Sequence, residues 1–161
     1  MNTAGLSGEI LDGRHVLALR VYYEDTDSTG AVYHASYLRF MERGRTDYLR
    51  LLGIDQRALL AETEREAPGF HFVVRAISVE FLKPGRFGDV LEVTTEPEEV
   101  RGASITLRQR VTHRGDTLIE ARVRVAFVSG GKAKRIPTAL RTVMGADRHE
   151  RCGAKSPLTK R

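Results

Sequence analysis

The spacing of apolar residues changes from helical to alternating after Pro68, and that change constrains the fold more than any other feature. Residues 36–52 carry apolar side chains at helical spacing, whereas after Pro68 apolar and polar residues alternate as they do in strands with one buried face. One long helix followed by strands predicts an α+β fold in which the helix packs on an antiparallel sheet. The helical set is Tyr37, Phe40, Met41, Gly44, Tyr48, Leu51 and Leu52.

Five segments are predicted to be strands. The first covers residues 15–23, and the other four cover 70–82, 89–100, 103–113 and 119–127, with turn signals such as KPGR and RGD between them. We expect the last four to form a meander, which gives a five-stranded sheet. A shorter helix is predicted over 55–65 and a short terminal turn over 137–145. Gly44 costs the long helix about 1 kcal/mol relative to alanine, so its position predicts close approach to a strand.

Size and charge favour one domain with a basic tail. The 161 residues, 41% of them hydrophobic, suit a single domain, which we place at residues 1–146. Of the net charge of +5, residues 147–161 supply +3, from five basic and two acidic side chains. We therefore expect a flexible basic tail at 147–161. Nucleic-acid binding through this tail is a weak alternative, and no nucleic-acid partner is predicted.

The chain has no signal for a membrane or for secretion. No run approaches the roughly 18 apolar residues of a membrane span, and the first ten residues lack a basic head and an apolar stretch. The single cysteine, Cys152, allows no intramolecular disulfide and lies in the predicted tail, where a catalytic role is not expected. These features predict a soluble cytoplasmic protein.

An unusual cluster of polar residues lies between the first strand and the long helix. The segment YYEDTDSTGAVYH contains Asp25, Asp27 and His34. Taken singly, each acid is explained by bonds to turn N–H groups, with Gly30 supplying an unusual backbone angle, and His34 by the start of the helix. Acids at EF-hand-like spacing also occur here, but Ser36 stands where a bidentate glutamate belongs, so no metal site is predicted.

Taken together, these residues favour acyl chemistry. The chain has no serine-hydrolase elbow, phosphate-binding loop, HExxH zinc motif or CxxC pair. The unpaired N–H groups at a helix start carry partial positive charge and can polarise a carbonyl. A carboxylate beside them could attack the carbonyl carbon or activate a water molecule. Acyl transfer or hydrolysis is the reaction class that this pattern indicates.

The same segment carries a family resemblance. Residues 20–50, RVYYEDTDSTGAVYHASYLRFMERGRTDYLR, resemble the hotdog-fold acyl-CoA thioesterases of the 4-hydroxybenzoyl-CoA thioesterase class, and most closely the YbgC-type enzymes associated with the Tol-Pal system. The resemblance continues through FLKPGRFGD, VRGASITLRQRV and PTALR. It implies a hotdog fold and the hydrolysis of an acyl-CoA to a free acid and CoA without a cofactor. It also implies a homo-oligomer, commonly a dimer of dimers.

The resemblance assigns residues as well. It implies that Asp27 is the catalytic carboxylate, as nucleophile or as base for water, with Asp25 as its structural neighbour. His34 and Tyr23 would orient the acyl group and the carboxylate, with a backbone N–H near His34 holding the thioester oxygen. Arg101 is the candidate contact for the CoA phosphates.

Some alternatives remain open at this point. The chain could bind acyl-CoA or acyl carrier protein in lipid metabolism without turnover, and acyl carrier protein is also a possible acyl donor. Glu42 is either an ion-pair partner of Arg45 or part of the pocket lining. His71 and His113 are expected to be ordinary strand histidines rather than ligands. The sequence does not predict the acyl chain.

Overall fold

The long helix predicted from apolar spacing is present. The computed structural model describes residues 5–53 and 57–145, and α1 runs over His34–Leu51, two residues earlier at its start than predicted. Its buried side chains include Tyr37, Phe40, Met41 and Tyr48, which face the sheet. The other two helices of these ranges are α2 (Arg57–Glu66) and α3 (Thr138–Val143), at the positions of the predicted second helix and terminal turn.

The described residues form one antiparallel sheet of seven strands. Five of them are the long strands that were predicted, and two short ones extend hairpins at Asp12-Gly13 and Gly130-Gly131. All four of these turn residues have positive φ, which suits the tight turns that reverse a chain in two residues. The strands are β1 (Glu9–Leu11), β2 (Arg14–Arg20), β3 (His71–Phe81), β4 (Val90–Arg101), β5 (Ser104–His113), β6 (Asp116–Ser129) and β7 (Lys132–Ala133).

The expected four-strand meander is wrong for its first strand. The sheet order is β1-β2-β4-β5-β6-β3, with β7 paired to β6, so β3 lies at the sheet edge beside β6 and not beside β4. Residues 82–89 therefore cross the end of the sheet, and we call them the crossing segment. Alternation predicts which face of a strand is buried, but it does not identify the neighbouring strand.

The predicted faces of β6 are confirmed. Ile119, Ala121, Val123, Val125 and Phe127 are buried on the side of α1, while Arg122 and Arg124 are exposed on the other side. Two apolar clusters form the core on the α1 side of the sheet, one around Phe40 and one around Phe127.

Gly44 lies where α1 approaches the sheet most closely, as predicted. A Cβ atom on Gly44 would lie 3.0 Å from both Thr95 Oγ1 and Val93 Cγ1 of β4. Beside this contact, the fully buried Gln109 donates from Nε2 to the Met41 carbonyl at 2.9 Å and to Thr95 Oγ1 at 2.8 Å. This polar bridge fixes the height of the helix above the sheet, because a buried amide without partners would be costly.

Across residues 5–53 and 57–145, no helix has the length and apolar character needed to cross a bilayer. The predicted tail, with Cys152, lies outside the described residues.

Candidate active site

The acidic segment folds into a narrow hairpin between β2 and α1. A short 3-10 helix, Tyr23–Asp25, ends the first strand earlier than predicted. Thr26 then pairs with Val32, the Asp27 N–H donates to the Ala31 carbonyl at 2.9 Å, and the Gly30 N–H donates to the Asp27 carbonyl at 3.0 Å. Gly30 has a φ of +79°, as its predicted role in the turn requires. We call residues 26–32 the acid loop.

Asp25 holds this segment together. Its buried carboxylate accepts the Tyr22 N–H at 2.9 Å, and its carbonyl accepts the Tyr33 N–H at 2.8 Å. Arg39 of α1 lies 3.9 Å from the other carboxylate oxygen. These contacts join the 3-10 helix to the start of α1, which agrees with a structural role.

Asp27, in contrast, is exposed, and only one of its two carboxylate oxygens accepts hydrogen bonds from residues that the structure describes. Its Oδ1 accepts the Thr29 N–H at 2.8 Å and the Thr29 hydroxyl at 2.6 Å. These two bonds, the hydroxyl first, hold the pKa of Asp27 below its ordinary value, and the nearby His34 lowers it further. Within the described residues Oδ2 makes no hydrogen bond. Asp27 thus presents an ionised carboxylate with one oxygen available for chemistry.

The start of α1 is not capped by a side chain. Tyr33 is the N-cap residue, and it makes no side-chain cap bond. The Ser36 N–H is satisfied by the Tyr33 carbonyl at 2.8 Å, but no acceptor among the described residues faces the N–H groups of His34 and Ala35. Such a helix start can stabilise negative charge on a docked oxygen.

A cleft of about 320 Å³ leads to this helix start. The His34 ring lies on its wall, with its centroid 6.3 Å from that of Phe81 and 4.4 Å from that of Tyr33. The cleft can admit a small apolar group whose carbonyl points at the helix start. Its lining includes Val32, His34, Tyr37, Phe81, Leu82 and Lys83.

Of the predicted site residues only His34 lines the cleft; Asp27 lies on the acid loop, whose last residue, Val32, is part of the cleft wall, and two further predicted residues lie elsewhere. Tyr23 is 83% exposed, and its ring packs edge to face on Phe87 at 6.2 Å. Arg101 ends β4, which begins beside the acid loop and runs about 36 Å at ~3.3 Å per residue. Arg101 pairs there with Glu99 at 2.8 Å, outside the cleft of its own chain.

The structure also shows the contacts of Glu42, His71 and His113, whose roles the sequence left open. Glu42 accepts the Thr46 hydroxyl at 2.6 Å and lines a second cavity, whereas Arg45 donates to Gln109 Oε1 at 2.9 Å. His71 and His113 contact backbone carbonyls. No group of three or more His, Cys, Asp or Glu side chains that could hold a metal ion occurs in the part of the chain described.

Sequence reasoning missed the support beneath the acid loop. The buried Tyr37 hydroxyl accepts the Gly85 N–H at 2.8 Å, and the Gly85 carbonyl accepts the Val32 N–H at 2.9 Å. Tyr37 was predicted only as an apolar helix residue. Its partner is 48 positions away, so helical spacing carried no signal for it.

The chain is similar to known thioesterases. Residues 29–125, more than half of the chain, match the thioesterase superfamily. An acyl-CoA thioester hydrolase YbgC from Escherichia coli O6:H1 is 48% identical over 123 residues, which cover 76% of this chain and 86% of that protein. The acyl-CoA thioesterase YbgC of Haemophilus influenzae is 42% identical over 127 residues, covering 79% and 90%. The crystal structure of a probable thioesterase from Bartonella henselae is 36% identical, with a TM-score of 0.69 and coverage of 77% and 99%.

Proposed function

Because this chain belongs to the thioesterase superfamily, we propose that it hydrolyses an acyl-CoA thioester to a free acid and CoA, with Asp27 as the catalytic carboxylate. The predicted resemblance and the α+β hotdog fold are confirmed, with seven strands in residues 5–53 and 57–145 in place of the five predicted. Two YbgC relatives above 40% identity, both named for acyl-CoA thioester cleavage, support the substrate class.

The arrangement of Asp27 and the start of α1 carries the proposal. A thioester carbonyl that docks in the cleft would point its oxygen at the N–H groups of His34 and Ala35. Asp27 does not itself line the cleft, so its free Oδ2 would have to reach the carbonyl carbon from the acid loop, whose last residue, Val32, lines the cleft. Negative charge that develops on the oxygen is stabilised by donors already in place, and such stabilisation supplies much of the rate enhancement in many acyl-transfer enzymes.

Two routes complete the hydrolysis. As nucleophile, the Asp27 carboxylate adds to the carbonyl carbon, the C–S bond breaks, CoA leaves as thiolate and takes a proton, and water hydrolyses the mixed anhydride. As base, Asp27 takes a proton from water, the hydroxide adds to the carbon, and the proton passes to the departing sulfur. An acyl group found on the Asp27 peptide after rapid quenching selects the first route.

The other predicted residues keep supporting roles in this proposal. His34 would orient the acyl group from the cleft wall. The predicted role of Tyr23 in orienting the carboxylate stays a prediction, because its ring packs on Phe87 outside the cleft lining. Arg101 is too far from the cleft of its own chain, so a contact with CoA phosphates calls for the Arg101 of another copy. The cytoplasmic location and acyl carrier protein as a donor stay predictions.

The decisive experiment measures CoA release and substrate binding separately. We expect Asp27→Asn to lose about 10²–10⁴-fold in kcat while acyl-CoA still binds. Glu24→Gln is the matched control, because it removes an exposed carboxylate three residues away. Equal release by Asp27→Asn and the parent would show that Asp27 is not catalytic. A parent protein that binds acyl-CoA without releasing CoA would support the binding-protein alternative.

We also propose that the chain forms a homo-oligomer through the edge strand β3. This strand has 11 residues, its outer edge is unpaired within the described sheet, and it exposes Val74, Ile77 and Phe81 on its apolar face. Long exposed edges of this kind pair with another strand. A dimer through β3 is the unit that the predicted dimer of dimers would contain.

Light scattering after size exclusion tests the dimer. Ile77→Lys puts a charge on the apolar face and should yield monomers, whereas Ser78→Lys on the opposite face should leave the mass of the parent unchanged. A parent that is itself monomeric, or an Ile77→Lys variant with the parent's mass, would count against this interface.

A further inference from the structure

A second cavity lies further along α1 from the cleft. Its volume is about 240 Å³, and its floor is formed by the buried side chains of Ile105, Leu107 and Val125. Leu49, Phe72 and Val74 complete its apolar wall, while Glu42 and Thr46 stand at its rim. Nothing in the proposed chemistry at Asp27 uses this cavity.

One continuous side of α1 joins the cleft to the cavity. His34 lines the cleft and Arg45 lines the cavity. Between them on the same side of the helix lie Leu38 and, at the border of the stripe, the exposed Glu42. A residue four positions further, Leu49, continues this stripe at the far end.

The facing side of β3 is continuous too. Phe81 lines the cleft, Val74 lines the cavity, and Val79 and Ile77 lie between them on the same inward face, opposite Ala121 and Val123 of β6. Leu38 and Ile77 are each more than a third exposed. An open apolar strip therefore runs from the helix start to the second cavity.

We propose that this strip binds the acyl chain of the substrate and that the preferred acyl group is an unbranched aliphatic chain of about 12 carbons. The proposal rests on the proposed function, which places the thioester at the helix start. From His34 to Arg45 the helix rises about 16 Å at 1.5 Å per residue. An extended chain advances roughly 1.3 Å per carbon, the projection of a ~1.5 Å C–C bond, so about 12 carbons reach the cavity.

The chemistry of the lining favours an aliphatic chain with an apolar end. An aromatic acyl group would fill only the first cleft and leave the strip exposed. Because exposed apolar surface of this kind usually has a ligand or partner, an aliphatic chain that covers the strip fits better. Glu42 lines the same cavity as Arg45, which donates to Gln109 Oε1 at 2.9 Å, so the negative charge of Glu42 disfavours a second carboxylate at the end of the acyl chain. Val74, Ile77 and Phe81 also belong to the β3 face of the proposed dimer, so the acyl chain would lie along that contact, and the binding tests below use the protein in its own oligomeric state.

Binding to the Asp27→Asn variant tests the strip independently of catalysis. Calorimetric dissociation constants for butanoyl-, octanoyl- and dodecanoyl-CoA should fall by at least about threefold for each added pair of carbons. The upper limit is the ~15-fold expected when two methylenes are buried completely. Equal affinities across this series, or tighter binding of benzoyl-CoA than of dodecanoyl-CoA, would overturn the proposal.

A pair of variants locates the chain in the cavity. Val74→Phe fills the cavity and should lower the ratio of dodecanoyl- to butanoyl-CoA affinity at least tenfold, while Val73→Phe, on the outward face of the same strand, should keep the parent's ratio. An unchanged ratio in Val74→Phe refutes the assignment. If that variant does not fold, Leu49→Phe fills the same cavity from the helix.

The two proposals fail in different ways. If the parent binds acyl-CoA with the expected chain-length dependence but releases no CoA, the proposed reaction is refuted and the acyl-binding strip is supported. If the parent releases CoA but the dissociation constants do not depend on chain length, only the acyl-binding strip is refuted.

Discussion

The phenolic oxygen of Tyr37, one turn into α1, accepts the backbone N–H of Gly85 in the crossing segment at 2.8 Å. Through the Gly85 carbonyl, which accepts the Val32 N–H at 2.9 Å, this contact reaches the acid loop. Burial raises the pKa of Tyr37, so the hydroxyl stays neutral at physiological pH. A Cβ atom on Gly85 would lie 3.1 Å from that oxygen, so a larger residue at position 85 would crowd the Tyr37 hydroxyl.

Tyr37→Phe keeps the ring and removes the acceptor of a buried N–H group. We expect the free energy of unfolding to fall by about 1–3 kcal/mol, because the Gly85 N–H loses its partner. Since the acid loop loses its support, kcat should fall with KM little changed. Denaturant unfolding and steady-state CoA release measure the two effects. Tyr22→Phe, at an exposed tyrosine, is the control, and a Tyr37→Phe variant with the parent's kcat would show that Tyr37 does not position the loop.

If Asp27 is the catalytic carboxylate, as proposed, the bonds from Thr29 are expected to set the acid limb of the pH–activity profile. They stabilise the charged form of Asp27 and so lower its pKa, which means that their loss raises the pKa. The carboxylate is the active form in both routes, and activity is lost as pH falls through this pKa. Thr29→Val should therefore move the acid limb of kcat/KM to higher pH, while Thr29→Ser, which keeps the hydroxyl, should leave it near the parent's position. Short pH-jump assays make the comparison, and coincident limbs for Thr29→Val and the parent would contradict it.

Gly44 tests the packing of α1 on the sheet. In Gly44→Val, the new side chain would start 3.0 Å from two fully buried side chains of β4, Val93 and Thr95. Overpacking of this kind should lower the free energy of unfolding by about 1–3 kcal/mol. Arg43→Val introduces the same residue on the exposed side of the helix and should cost less than about 1 kcal/mol. Similar losses in both variants would mean that helix propensity, not the close approach, is responsible.

Several features could be predicted from local pattern because their cause is local. The helical spacing of Tyr37 to Tyr48 and the alternation of Ile119 to Phe127 fix which side of each element is apolar, and the structure buries those sides. The close approach at Gly44 could be predicted because glycine weakens a helix interior. A glycine at such a position therefore indicates that a neighbouring strand leaves no room for a side chain. The residue order around Asp27 also sufficed to identify the family.

The remaining features depend on partners that are distant in sequence. Edge strand β3 was misplaced because alternation is the same whichever strand lies alongside, and the pairing with β6 is decided by the whole sheet.

Residue spacing and bonds between near neighbours were enough to define the elements, their buried faces and the composition of the acid loop. Packing of the helix on the sheet was needed to establish that Tyr37 supports the acid loop through Gly85, and that an apolar strip leads away from His34 between α1 and β3. Each of these depends on the distance between groups from separate elements, and no local pattern encodes such distances because they are set only when the elements pack together.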